Sequence, residues 1–195
     1  LRHILNHVCA RGCFVLKKHA MELIMGCLLL LCFYCLSREA AAVSARMSQK
    51  KVIVVDCGHG GIDPGMIGID GLKEKEFNLA IGMKLKKALE DYGYQVVMTR
   101  ETDTGLYDED SQNKKAQDMQ KRILLIQKVD PVLTVSIHQN SYEDPAVKGP
   151  QVFYYRDSAQ GEALAKKIQE KLNENLEVER PREIKGNTTY YLLKR

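Results

Sequence analysis

The sequence predicts an α/β domain built on a central, mostly parallel sheet flanked by helices on both faces, a three-layer αβα arrangement. Two observations point there. Short runs of β-branched and apolar residues lack the alternation of a half-exposed strand, so they read as strands buried on both faces. Between them lie longer segments with apolar residues at helical spacing, and strands alternating with helices favour parallel pairing. In order, "KVIVVD" (51–56) reads as the first strand, ended by glycine. Glu76 to Tyr92 places Phe77, Ile81, Leu85 and Leu89 four apart and stops at Gly93, which predicts a helix with a C-terminal glycine. "YQVVMT" (94–99) is a second strand, and the polar, acidic stretch Glu101 to Lys114 a loop. Lys115 to Lys128 carries Met119, Ile123 and Ile126 on one face and ends at Asp130-Pro131, as a helix should. "VLTVSIH" (132–138) and "QVFYY" (151–155) are further strands. Ala159 to Leu176 is a helix with Leu164, Ile168 and Leu172 in register, and "YYLL" (190–193) a last strand.

The chain has 195 residues, 45% hydrophobic and 28% charged, enough for one ordinary core and something extra. Its net charge of +4 comes from basic residues interleaved with acidic ones, and there is no Trp. Nucleic acid is therefore not an expected partner. The extra material lies at the front. Leu23 to Leu36 is an uncharged apolar run of 14 residues, short of the roughly 20 of a spanning helix and suited to the centre of a secretory signal. Small residues follow in "REAAAVSA", with cleavage-like sites at Ala40-Ala41-Ala42 or Val43-Ser44-Ala45. Residues 1–46 thus read as a signal peptide or membrane anchor, with the remainder extracytoplasmic. Leu1 is not a Met, and Met21 is an alternative start that would make 1–20 a misread extension. Five of the six cysteines lie in this segment, leaving Cys57 alone beyond it, so no disulfide framework is implied. Cys9 and Cys13 lack the second pair that a structural zinc site needs.

The chemistry-bearing residues sit at strand ends. His59 follows the strand ending at Asp56 and His138 closes the strand from Val132, so both fall at the carboxyl edge of the sheet, where open α/β sheets place ligands. Glu74 and Glu76 precede the predicted helix on a loop from that edge. The helix dipole accounts for Glu76, whereas Glu74 is free to point back toward His59. Two imidazoles and a carboxylate suit a catalytic zinc, which keeps a fourth position for water. Gly58, Gly60 and Gly61 allow close backbone approach. A phosphate cradle at "CGHGG" lacks the Lys and Ser/Thr of a P-loop.

Five ordered segments, "VVDCGHGGIDPG", "GLKEKEFNLAI", "MTRETD", "KRILLIQ" and "TVSIHQN", resemble the zinc-dependent N-acetylmuramoyl-L-alanine amidases. The resemblance runs from about Lys51 to the end, which makes residues 51–195 the amidase domain. "ETDTGLYDEDSQNKKAQDM" and "YYLLKR" are most similar to members that act on the spore cortex. The resemblance implies hydrolysis of the bond between muramic acid and L-alanine in peptidoglycan, with His59, Glu74 and His138 as Zn²⁺ ligands and a possible protein activator. It also implies a structural or substrate-orienting role for Arg100 and Arg122, with Asn140 as a substrate contact. Cys57 stands where many members have proline, as a packed small hydrophobe, a redox-sensitive thiol or an adventitious metal ligand. The family's catalytic glutamate comes from a segment like "VExGF" after the last strand. It is expected beyond Arg195, so that no catalytic residue lies within this chain and the domain is incomplete at its C-terminus. Asp63, Glu76, Glu101 and Asp103 lie in loops without that motif's context. Two other readings stand beside the enzyme: a catalytically incomplete peptidoglycan-binding or regulatory module, and a zinc carboxypeptidase or deacetylase.

Overall fold

The computed structural model describes residues 21, 23–40, 51–144, 146–176 and 178–194. The chain divides into two compact units, Leu1–Lys50 and Lys51–Arg195. In the first, a helix through Leu23–Ala40 (α1) is long and apolar enough to cross a membrane, and none of that stretch is buried. Its 18 residues span about 27 Å, close to a bilayer's hydrocarbon thickness. Cys9, Cys13 and the cleavage-like residues from Ala41 to Ala45 lie outside the described residues.

The second unit is organised around β1 (Val52–Cys57), flanked by β2 (Gln95–Met98) and β3 (Leu133–Ile137), both parallel to it. Because β1 is central, its side chains alternate between two covered faces. Ile53, Val55 and Cys57 join Met98 in the core, against Leu79, Leu85 and Leu89 of α2 (Glu74–Asp91). Asp56 points the other way, to Arg122 of α3 (Lys114–Val129). The parallel sheet thus carries helices on both faces, as the unbroken apolar run of β1 predicts.

The strict four-residue stripe expected on α2 does not face the core along its length. A helix turns every 3.6 residues, so positions four apart drift about 40° per step. Leu85 and Leu89 pack inward, while Phe77 and Ile81 are exposed, and the buried line instead runs through Glu74, Asn78 and Gly82. Gly82 lets α2 sit on β1, since a Cβ there would lie 2.2 Å from Cys57 Sγ. Gly82→Ala would gain about 1 kcal/mol of helix propensity but overpack this contact at a cost of about 1–3 kcal/mol. We expect a net lowering of the denaturation midpoint. Cys57 is fully buried in this contact, and burial pushes its thiol pKa up, which fits the packed small hydrophobe.

α3 begins at Asn113, whose side chain accepts the Ala116 N–H at 3.1 Å, and ends at Asp130 in a left-handed conformation (φ 47°) before Pro131. A second parallel pair joins β4 (Phe153–Tyr155) to β5 (Lys185–Asn187), with α4 (Ala159–Asn175) packed on β4. α4 departs from its predicted face. Leu164 is exposed, while Ala165 and Gln169 are buried. The Gln169 amide accepts from Val152 N at 2.7 Å and donates to Pro150 O at 3.0 Å, satisfying backbone groups that an apolar side chain would strand.

The last strand is also not where it was expected. β5 is Lys-Gly-Asn, and the "YYLL" segment enters a short 3₁₀ turn at Leu192–Lys194. The Asn187 side chain explains the change, because it accepts from both Thr189 N and Tyr190 N at 2.7 Å and turns the chain out of the strand.

Candidate metal centre

Parallel pairing places the two histidines side by side. Cys57 is in register with Ile137, and Gly58 N donates to Ile137 O at 3.1 Å, so the chain leaves β1 and β3 at the same level. The His138 ring lies directly on Gly58, where a Cβ would come within 2.3 Å of it. The His59 and His138 ring centroids are 4.9 Å apart at 82°.

Glu74 completes the group from below as the first residue of α2, not from a preceding loop, and its side chain is 3% exposed. Its Oε2 is 3.3 Å from His59 Nε2 and its Oε1 is 3.0 Å from His138 Nδ1. Burial pushes the Glu74 carboxyl up, but backbone N–H groups of Met66 and Gln139, the Asn78 amide and His59 outweigh it and hold the pKa below the usual value. The donor atoms of His59, Glu74 and His138 lie within 4.8 Å of one another. Ligands at zinc distances around a tetrahedral centre stand roughly 3.3–3.6 Å apart, so a small adjustment brings all three onto one ion. Gly65 closes the floor at φ 68°, where a Cβ would fall 2.6 Å from Glu74 Oε2 and 2.7 Å from His59 Cδ2.

His59 itself has a left-handed backbone (φ 63°), which costs a non-glycine residue roughly 1–2 kcal/mol. Two buried guanidiniums hold it there. Arg122 donates to Cys57 O at 2.8 Å and His59 O at 2.7 Å, and Arg100 to Cys57 O at 2.9 Å and Gly58 O at 3.1 Å. Three successive carbonyls are thereby clamped. The substrate-orienting role open to these arginines in the sequence has no geometric support. Arg100 is 4% and Arg122 1% exposed, and their remaining donors go to Lys75 O, Thr102 O, Asp56, Asp118 and Thr99. Solvated surface side chains they are not.

Burial would raise the pKa of Asp56, but the Arg122 charge beside it and the hydroxyls of Ser136 and Thr99 hold it below the usual range. A depressed carboxylate stabilises the fold above its unfolded pKa and loses that contribution as pH falls through the folded value. Acid unfolding should therefore set in below about pH 4, and Asp56→Asn should flatten the slope of stability against pH in that window. Melts at stepped pH check this.

Of the four other carboxylates considered from sequence, two are engaged elsewhere. Asp103 binds Lys75 Nζ at 2.6 Å and accepts from Gly61 N, tying the 101–107 loop over the glycines. Glu101 pairs with Lys86 at 2.6 Å, and Glu76 is exposed in the first turn of α2. Asp63 is different: its Oδ2 lies 2.8 Å from His59 Nδ1 and its Oδ1 2.8 Å from Lys115 Nζ. From the sequence Asp63 reads as a loop residue. The signal was its position four after His59, inside a turn whose glycines at 60, 61 and 65 fold the chain back. Asn140 is exposed on the loop leaving β3, two residues past His138.

The family described as N-acetylmuramoyl-L-alanine amidase matches residues 53–195. The germination-specific N-acetylmuramoyl-L-alanine amidase of Bacillus subtilis is 39% identical over 130 residues, covering 65% of this chain and 54% of the relative. AmiA, an N-acetylmuramoyl-L-alanine amidase of Escherichia coli, is 35% identical over 131 residues, covering 66% and 41%. The chain thus spans about half the length of these relatives. Among solved structures, the CwlD amidase of Clostridioides difficile, determined in complex with the GerS lipoprotein, superposes with a TM-score of 0.71 at 38% identity over 74% of this chain and 76% of that one. With the parallel sheet, the match over nearly the whole second unit and these relatives in agreement, the chain belongs to the N-acetylmuramoyl-L-alanine amidase family.

Proposed function

We propose that residues 51–195 form the zinc-binding part of an amidase that hydrolyses the bond between the lactyl group of N-acetylmuramic acid and L-alanine in peptidoglycan, acting on the spore cortex. The observation that carries this reading is the convergence of His59, Glu74 and His138 at the carboxyl edge of the sheet. Two imidazole nitrogens and a carboxylate oxygen suit zinc. When bound, such an ion lowers the pKa of water towards about 7 and polarises a carbonyl, the two needs of amide hydrolysis at neutral pH.

The chain's own residues supply the rest of the setting. Glu74 is held ionised by its N–H donors, so it offers a full negative charge to the site. His138 is 39% exposed at its side chain, which leaves the site approachable from one side, and Asn140 beside it is suited to hold the substrate's amide. Asp63 makes a poor general base. Burial raises its pKa, but Lys115 and His59 outweigh that and bring it down to about 2, far from the operating pH. We assign the acid–base role to a glutamate outside residues 1–195. The N-terminal segment 1–46 acts as a signal or anchor that puts this domain outside the cytoplasm. The GerS complex of the Clostridioides difficile relative supports a protein partner for this chain as well.

The engagement of Glu101, Asp103 and Asp63 in ion pairs favours one alternative, a peptidoglycan-binding or regulatory module without chemistry. A single experiment separates the two. The full-length protein, incubated with cortex peptidoglycan, should release peptides with a free L-alanine amino terminus, and His138→Ala should abolish this. Binding without release supports the module, a freed D-amino acid or acetate points to a carboxypeptidase or deacetylase, and full activity in His138→Ala overturns the metal assignment.

A further inference from the structure

His59 carries two nitrogens, and only one can face Glu74. Nε2 does, at 3.3 Å, while Nδ1 is turned 2.8 Å from Asp63 Oδ2. A carboxylate accepts hydrogen bonds and donates none. Asp63 is kept in that form by Lys115 Nζ on its other oxygen at 2.8 Å and takes a further N–H from Gly65 at 3.4 Å. Both ring nitrogens thus face a carboxylate, but only the 2.8 Å contact to Asp63 has hydrogen-bond geometry, the Glu74 oxygen lying farther off at 3.3 Å. The proton of a neutral His59 ring is therefore drawn to Nδ1, and the lone pair is left on Nε2. The ring is also fixed from its backbone end by the Arg122 bond to His59 O at 2.7 Å. His138 has no equivalent arrangement on the side facing Glu74, since there it is Nδ1 that lies 3.0 Å from the carboxylate.

We propose that Asp63 is a positioning residue for the metal centre: it selects the Nδ1–H tautomer of His59 and so presents Nε2 as the ligand atom. This rests on the metal reading above. Outer partners of this kind typically contribute 10–100-fold in metal affinity. The charge matters as well as the geometry, because an asparagine amide can rotate to offer Nδ1 a donor and so stabilise the opposite tautomer.

The test uses the 195-residue chain in two measurements. Chelator competition for Zn²⁺ should give a 10–100-fold weaker Kd for Asp63→Ala, and a loss at least as large for Asp63→Asn, with melting curves showing both variants folded. Nitrogen chemical shifts of the metal-free protein should show His59 in the Nδ1–H form, and in Asp63→Ala a shift toward the Nε2–H form that faces Glu74. An unchanged Kd in folded Asp63→Ala, or the same tautomer with and without Asp63, overturns the proposal. Failure of the wild-type chain to bind Zn²⁺ at all overturns the metal reading instead, and the tautomer measurement still decides on Asp63. If Asp63→Ala does not fold, Asp63→Asn supplies both measurements.

Discussion

Replacing Arg122 by Met should cost the fold about 3–5 kcal/mol, the scale of breaking a buried ion pair by removing one partner. Arg122 is 1% exposed and serves Asp56, Asp118 and the carbonyls of Cys57 and His59 at 2.6–2.8 Å. Met fills the volume and answers none of these acceptors, so Asp56 is left charged and buried with only the hydroxyls of Ser136 and Thr99 beside it. Lysine restores the charge but not the fork: one ammonium cannot reach the carboxylate of Asp56 and the carbonyl of His59 in the same geometry. Urea titration should place Arg122→Lys between wild type and Arg122→Met. A loss within 0.5 kcal/mol for Met, the range of ordinary surface changes, would show that the clamp does not hold the turn.

Glu74→Ala should produce the second large effect, on metal binding. Glu74 faces both histidines and accepts from Met66 N, Gln139 N and Asn78 Nδ2. Its removal takes away the proposed carboxylate ligand and the negative charge that faces both imidazoles. Affinity for Zn²⁺ should fall by more than the 10–100-fold that losing an outer partner costs. Because buried N–H groups are left without acceptors, about 1–3 kcal/mol of stability should go with it. Glu74→Gln keeps an acceptor and should recover much of that stability while leaving metal binding impaired. Calorimetric titration beside thermal melts separates the two effects.

The difference between these residues explains what the sequence could convey. His59 and His138 were legible because a parallel sheet puts the residues after its strands along one edge, and two histidines at matching strand ends are visible in one dimension. Glu74 was legible by elimination between two glutamates, although it proved to open α2 instead of preceding it. The arginines were legible only through the family resemblance, which left a structural and a substrate-orienting role open, and not from their own pattern. A buried guanidinium differs from a solvated one only in what surrounds it, and the acceptors of Arg122 at Asp56, Cys57 O and His59 O lie 63 to 66 residues away in the chain. The same holds for α4, where buried Gln169 replaces the leucine that periodicity favours. It holds again for β5, where Asn187, acting through local hydrogen bonds, ends pairing before the more strand-like tyrosines. Periodicity reports apolar burial and is silent where polar side chains are buried against backbone.

The central claim is that His59, Glu74 and His138 together hold one divalent ion. Titrating the metal-free 195-residue chain with Co²⁺ tests it most directly, because a four-coordinate site with nitrogen and oxygen ligands gives intense visible absorption that a six-coordinate aquo ion lacks. The account predicts saturation at one ion per chain, displacement by Zn²⁺, and loss of the signal in His59→Ala, Glu74→Ala and His138→Ala alike. Weak absorption with no saturation, or a full signal surviving in any folded one of the three variants, would contradict it.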